Sequence, residues 1–348
     1  MNDAPARSFL DGLDDEARAL LLSAASPVSF VPGSVLVRHG EPARGAYILR
    51  EGSVEAVVTL PGGESLTVAT LGPGSVFGEM ALIELGTCTA TVRATAPVDG
   101  WFIAHEDFRA LVSHSHPAAL RVQHALTVAL AGKLAALNQQ MLACPAPEDR
   151  PARPAAAAEP LAGVARTRKP SFAAADFLPR LPVFERCSPM EIDELVARAA
   201  YLEIPRGHGV FTAGSEASAA FIVVRGAVEI VSIRESRERR VAVIGPGQLV
   251  GYLSVLRRAR HSTHAFAREG CVLLELGADA FHETYFGASR PSMRLRHAVQ
   301  ASLLASMART NRALTRLISQ AKLASAPQAE LALEAAYHAQ LAIRGQTP

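Results

Sequence analysis

One stretch of this chain occurs twice. Gly33 to Glu55 (GSVLVRHGEPARGAYILREGSVE) lies without gaps on Gly207 to Glu229 (GHGVFTAGSEASAAFIVVRGAVE), 174 positions further on. Gly33, Gly40 and Gly52 thereby meet Gly207, Gly214 and Gly226. LGPGSVFGE from Leu71 then meets IGPGQLVGY from Ile244, and Phe108 meets Phe281, at a spacing of 173, so one loop residue has been lost between the copies. Self-similarity over so long a stretch means that one architecture is built twice, which constrains the fold before any motif is considered.

The repeated unit is rich in strands. Glycines at fixed places separate short runs of Val, Ile, Leu, Tyr and Phe, as the turns of a compact β-barrel require. Tyr47-Ile48-Leu49 runs into a turn at Gly52 and resumes with Val54 and Val57. A helix is expected ahead of each barrel: Asp14 to Ala24, with Asp14 or Asp15 as N-cap, and Ser188 to Ala199, opening S-P-M-E with proline at N1. A longer helix follows each. Leu126, Leu130, Leu134, Leu137 and Met141 share one face of Pro117 to Leu142, and Val299, Leu303, Met307, Leu314 and Leu317 do much the same in Pro291 to Leu323. Leu126, Leu130, Leu134 and Leu137 read as a coiled-coil seam, predicting a homodimer.

The expected class is mainly β with flanking α: two jelly-roll-like barrels, each followed by a long helix. The division is residues 9–142, a Pro/Ala-rich linker at 143–176 without a core, 177–323, and a short amphipathic tail at 324–348.

Composition removes several classes of function. With 49% hydrophobic and 20% charged residues the chain is globular, and a formal net charge of +2 provides no global field toward nucleic acid or anionic membrane. The four cysteines form no CxxC pair, the start MNDAPARSFLDGL does not read as a signal peptide, and no apolar run reaches the ~18–20 residues of a membrane span. A cytoplasmic protein is expected. No P-loop, nucleophile–base set or paired carboxylates stand out, which argues for a non-enzymatic protein without catalytic residues. His261 with His264, and His114 with His116, lack metal-binding companions, so no metal is expected. Arg290 to Lys322 contains no acid, and Arg309, Arg312 and Arg316 share a helical face that would suit an anionic surface. The residues from Ala324 to Pro348 are too few for a winged helix-turn-helix, so DNA binding by that route is not expected.

A helix, a glycine-punctuated barrel, the segment FGEMALIELGTCTATVRA from Phe77 to Ala94 and a long helix together resemble the cyclic-nucleotide-binding domains. The resemblance implies that Gly78, Glu79, Met80, Ala81 and Leu82 present backbone N–H groups to a cyclic phosphate, with Glu79 accepting from the ribose 2′-hydroxyl. It also implies an arginine nine residues after the glutamate. The count from Glu79 reaches Cys88, a residue without that charge. Thr89, where guanine-preferring members carry threonine, and Thr91 complete the candidate site, with cAMP or cGMP as possible ligands and no firm cofactor. Cys88 itself reads either as a low-pKa thiol for redox or haem chemistry or as a small apolar filler.

In the second copy Gly251 is kept, Tyr252 stands at the glutamate position and His261 at the arginine position, with Arg257, Arg258 and Arg260 beside them. That leaves a possible second site at Gly251, Tyr252, Arg260 and His261, or a solvated basic face. Arg166 to Phe172 (RTRKPSF) places basic residues before Ser171, as a basophilic kinase site would. Two functions follow: a sensor of a cyclic nucleotide or related anion that relays binding to a protein effector, or a ligand-independent scaffold.

Overall fold

The computed structural model describes residues 9–59, 65–113, 116–144, 150–152, 160–169, 176–234 and 237–324. The tail from 325, Ser171 and His114 lie outside the described residues. The chain forms two compact units, one of Met1–Pro145 with Met307–Pro348 and one of Ala146–Ser306.

In the first unit, α1 (Asp15–Ser23) starts where the Asp14 carboxylate accepts the Ala17 N–H at 2.8 Å, satisfying one of the amides that a helix start leaves open. Then come β1 (Ser26–Phe30), β2 (Val35–Val37), β3 (Gly45–Glu51), β4 (Val54–Thr59), β5 (Ser65–Leu71), β6 (Val76–Phe77), α2 (Met80–Ile83), β7 (Thr91–Ala94) and β8 (Val98–Ala104). Two helices close it, α3 (His105–Ser113) and α4 (Pro117–Ala143). The strands make two antiparallel four-stranded sheets, ordered β1-β8-β3-β6 and β2-β7-β4-β5. Leu49, Val54, Phe77, Val92 and Val98 fill the space between them.

The second unit repeats the plan. Two-residue strands β9 (Arg150–Pro151) and β10 (Arg166–Thr167) precede α5 (Pro189–Ala197), β11 (Ala200–Ile204), β12 (Gly209–Phe211), β13 (Ala219–Arg225), β14 (Val228–Arg234) and β15 (Arg237–Ile244). After them come β16 (Leu249–Val250), α6 (Tyr252–Leu256), β17 (His264–Ala267), β18 (Cys271–Gly277), α7 (Ala278–Phe286) and α8 (Arg290–Ala324), the last of which runs on into residues of the first unit. Ser188 and Glu191 form a reciprocal capping box at the start of α5. Its sheets, β10-β11-β18-β13-β16 and β12-β17-β14-β15-β9, extend the pattern by one strand each. Among the described residues the sheets join in neither unit, so each copy is a pair of facing sheets rather than a closed barrel.

The equivalence of the copies is visible in the backbone. Gly33, Gly40, Gly52, Gly74 and Gly78, and their partners Gly207, Gly214, Gly226, Gly247 and Gly251, all have φ between +72° and +88°. At Gly52 a side chain is also excluded by space, since a Cβ would stand 2.0 Å from the Pro97 carbonyl oxygen. At Gly226 it would meet that of Gly270 at 2.5 Å.

Two expectations change. The linker is not coreless throughout: Leu161 and Val164 pack on the second unit's core, β9 and β10 each extend a sheet, and Arg150 pairs with Glu229 at 3.0 Å and Glu238 at 2.6 Å, both buried. Pairing with strands far along the chain outweighs the proline-rich composition there. The leucine seam is likewise not at the surface, because Leu126, Leu130 and Leu134 are 1%, 0% and 3% exposed within the chain and Leu137 is half-buried. Spacing of 3 and 4 marks an apolar helix face, and here that face is covered by the chain itself.

Candidate functional site

The site of the first unit begins where β6 ends. Gly78, at φ +72°, lies so close to β3 that a Cβ would stand 2.7 Å from the Gly45 oxygen, and this backbone approach directs the chain into α2. Glu79 follows and is only 6% exposed. A carboxylate so buried needs a partner, and Lys133 of α4 provides it: Nζ donates to Glu79 Oε1 at 2.7 Å and to the Val76 carbonyl at 2.7 Å. The lysine side chain remains 39% exposed.

Ala81 and Leu82 are buried, while Met80 is half-buried. Their amides differ from the sequence expectation. Ala81 N–H donates to the Gly78 carbonyl at 3.0 Å and Leu82 N–H to that of Glu79 at 3.1 Å, so both are used within the turn. Met80 N–H alone of the three has no partner among the described residues. His105 fixes the turn from α3, its Nδ1 lying 2.5 Å from the Ala81 carbonyl.

Cys88 is half-buried in the loop after α2. Its N–H donates to the Glu41 carbonyl at 2.8 Å and its carbonyl accepts from Gly40 N–H at 2.9 Å. Burial, with the nearby Glu41 carboxylate, raises its pKa, the reverse of the low-pKa thiol considered from the sequence. The side chain is a neutral thiol. Thr89 is exposed, and Thr91 Oγ1 accepts the His39 N–H at 3.1 Å. Tyr47 lies close by, stacked on Phe77 at 5.1 Å.

The second copy keeps the frame and changes the contents. His261 N–H donates to the Ser215 carbonyl at 3.0 Å and its carbonyl accepts from Gly214 N–H at 2.8 Å, the same pair of bonds that holds Cys88. The imidazole stacks on Phe211 at 3.8 Å with 7° between the rings, and a Cβ built at Gly251 would lie 3.2 Å from Phe211 and 3.4 Å from His261. Burial lowers the His261 pKa to about 4, so the ring is neutral at physiological pH. Tyr252 points into the core, 4% exposed. Arg260 is exposed, donates to the Gly214 carbonyl at 2.7 Å and lies 3.6 Å from Glu216. Gly251 and His261 are therefore brought together against Phe211 by apolar packing, while Tyr252 is buried in the neighbouring core cluster and Arg260 faces solvent.

Lys133 and Phe211 were missed in the sequence. Lys133 had one signal, a lone lysine between Leu130 and Leu134 on an apolar helix face, whereas Phe211 looked like any strand residue. Among the described residues no group of His, Cys, Asp and Glu is arranged to hold a metal, and no helix is long and apolar enough to cross a membrane.

Each unit is a pair of facing antiparallel sheets with a glycine-led turn at the same place, and in the first unit that turn bears a buried glutamate, the form of a tandem regulatory module. The family model for the cyclic nucleotide-binding domain matches residues 27–115 and 201–286, together just over half the chain, and the chain belongs to that family. Acetyltransferase Pat of Mycolicibacterium smegmatis is 34% identical over 99 residues, covering 28% of this chain and 29% of that protein, so the match spans under a third of the relative. The N-terminal domain of a transcriptional regulator from Streptomyces coelicolor is 30% identical with a TM-score of 0.33, over 37% of this chain and 90% of that one. The regulatory domain of Toxoplasma gondii PKA, crystallised with cAMP, is 18% identical with a TM-score of 0.31, over 86% and 92% of the two chains.

Proposed function

We propose that this tandem regulatory protein senses a cyclic nucleotide, cAMP or cGMP, in its first unit and that the second unit is a sealed copy. The buried Glu79 carboxylate behind left-handed Gly78 carries the reading. Its Oε1 is held by Lys133, and its Oε2 has no partner among the described residues, which leaves an acceptor for a ribose hydroxyl. Gly78, Met80, Ala81, Leu82, Cys88, Thr89 and Thr91 would surround the ligand. Val37 stands at the position that Phe211 holds in the second copy, and Cys88 at that of His261, so the first site carries smaller side chains where the second carries a stacked pair.

In this reading binding is relayed to a protein effector through α4, which carries Lys133, and the second unit contributes surface without a ligand. The chain acts as a regulator and not a catalyst. Calorimetry of the full chain with cAMP and cGMP tests it, beside Glu79→Gln. A dissociation constant in the micromolar range, lost or raised at least about tenfold in the variant, supports it, whereas no heat below ~1 mM refutes it. The Phe211–His261 stack favours a second reading for that unit, a ligand-independent scaffold. A binding stoichiometry of two would count against this assignment.

A further inference from the structure

The proposed first site lacks a cation where its family resemblance expects one, since Cys88 is a neutral thiol. Lys133 stands beside the glutamate instead. An ammonium has three N–H donors, and the described residues take two of them, Glu79 Oε1 and the Val76 carbonyl, each at 2.7 Å. One donor is unspent and part of the side chain remains open to solvent. Glu79 shows the complementary state, with Oε1 occupied and Oε2 open among the described residues. A cyclic 3′,5′-nucleotide has its 2′-hydroxyl next to the carbon bearing the 3′-phosphate ester. A carboxylate touching an ammonium matches that pair of groups, one accepting from the hydroxyl and the other donating to the anion.

We propose that Lys133, from the long helix α4, supplies the positive charge that recognises the ligand phosphate. The inference rests on the sensor reading of the first unit and extends it. Ligand would then be held from two elements 54 residues apart, the turn at Glu79 and helix α4. A phosphate drawing on Lys133 changes the ion pair that ties α4 to the turn, so phosphate recognition and relay would reside in one side chain.

Calorimetry of the full chain with cyclic nucleotide and with the corresponding nucleoside, which keeps the 2′-hydroxyl and lacks the phosphate, separates contact from support. Lys133→Met should weaken the cyclic nucleotide by about tenfold or more and change the nucleoside by less than about twofold, as loss of a charge-assisted contact requires. Lys133→Arg should restore most of the affinity, and Cys88→Arg combined with Lys133→Met should recover binding by returning the charge from the loop. Glu79→Gln should weaken both ligands. Equal weakening of nucleotide and nucleoside by Lys133→Met would show that the lysine only positions Glu79, and unchanged nucleotide affinity would show no role. Either result overturns the inference and leaves the sensor reading standing. No binding by the parent chain removes both.

Discussion

His261 allows the sealed second copy to be tested through pH. Its ring is 5% exposed, stacked on Phe211 at 3.8 Å, and burial brings its pKa from 6.5 to about 4. In the unfolded chain the imidazole takes a proton near pH 6.5, while the folded chain refuses it until about pH 4. Between those values the unfolded state binds more protons, so stability rises with pH across the window. The contribution is complete above pH 6.5 and is lost as pH falls to about 4. At ~1.4 kcal/mol per pH unit the whole window is worth about 3 kcal/mol. Carboxylates titrate nearby and burial also lowers the His264 pKa, so the quantity to measure is the difference between the protein and His261→Phe, which keeps a ring on Phe211. Hydrogen exchange in β12 and β17 reports the second unit, and fluorescence of Trp101, the only tryptophan, reports the first. The β12 and β17 stability difference should move by about 3 kcal/mol against the parent as pH falls from 7 to 4, with Trp101 unfolding parallel in the two proteins. Parallel exchange curves, or a His261 proton resonance titrating near pH 6.5, would refute a buried neutral ring.

Gly52→Ala should destabilise the first unit by about 3 kcal/mol or more, because the new Cβ meets the Pro97 oxygen as well as an unfavourable φ. Gly33→Ala, with the same φ class and nothing within 4 Å, should cost only ~1–2 kcal/mol, and similar urea midpoints for the two variants would contradict the steric account. Arg150→Ala removes the cation shared by buried Glu229 and Glu238 and should destabilise the second unit by about 2–4 kcal/mol, read by hydrogen exchange in β14 and β15. Unchanged protection would mean that the linker strand β9 contributes little. Phe211→Ala opens the stack and should cost about 3 kcal/mol while raising the His261 pKa toward 6.5, both measurable on one NMR titration series.

The sequence displayed whatever depends on backbone conformation or local spacing. The five glycine pairs stood out because a left-handed φ has one cheap residue, and the Ser188–Glu191 box and Pro117 marked helix starts because the capping bonds are local. Contacts between distant segments were hidden. Lys133 and Glu79 are 54 residues apart, and only folding shows that the one lysine of α4 faces the turn. The leucines of α4 had the correct period and the wrong expected partner, since periodicity identifies a buried face without saying what buries it. Two-residue strands such as β9 have no period at all, and nothing local to Arg150 points to Glu229 and Glu238, 79 and 88 residues away.

The two copies also show how a duplicated site diverges with its frame intact. The pair of backbone bonds that ties Cys88 to Gly40 and Glu41 recurs between His261 and Gly214 and Ser215, so the two side chains leave the same local backbone frame. A charged group at such a half-enclosed position needs a counterion or solvent, and the Cys88 thiol and the neutral His261 ring make no such demand. In the second copy the position is occupied by one ring of an aromatic pair in van der Waals contact. In the first, Val37 and Cys88 stand at those two positions, and the buried Glu79 carboxylate pairs with a lysine from α4. Packing alone would favour replacing Glu79, as Tyr252 replaces it in the other copy. Retention of an ion pair where the sister site has none is the physical reason to place ligand recognition in the first unit.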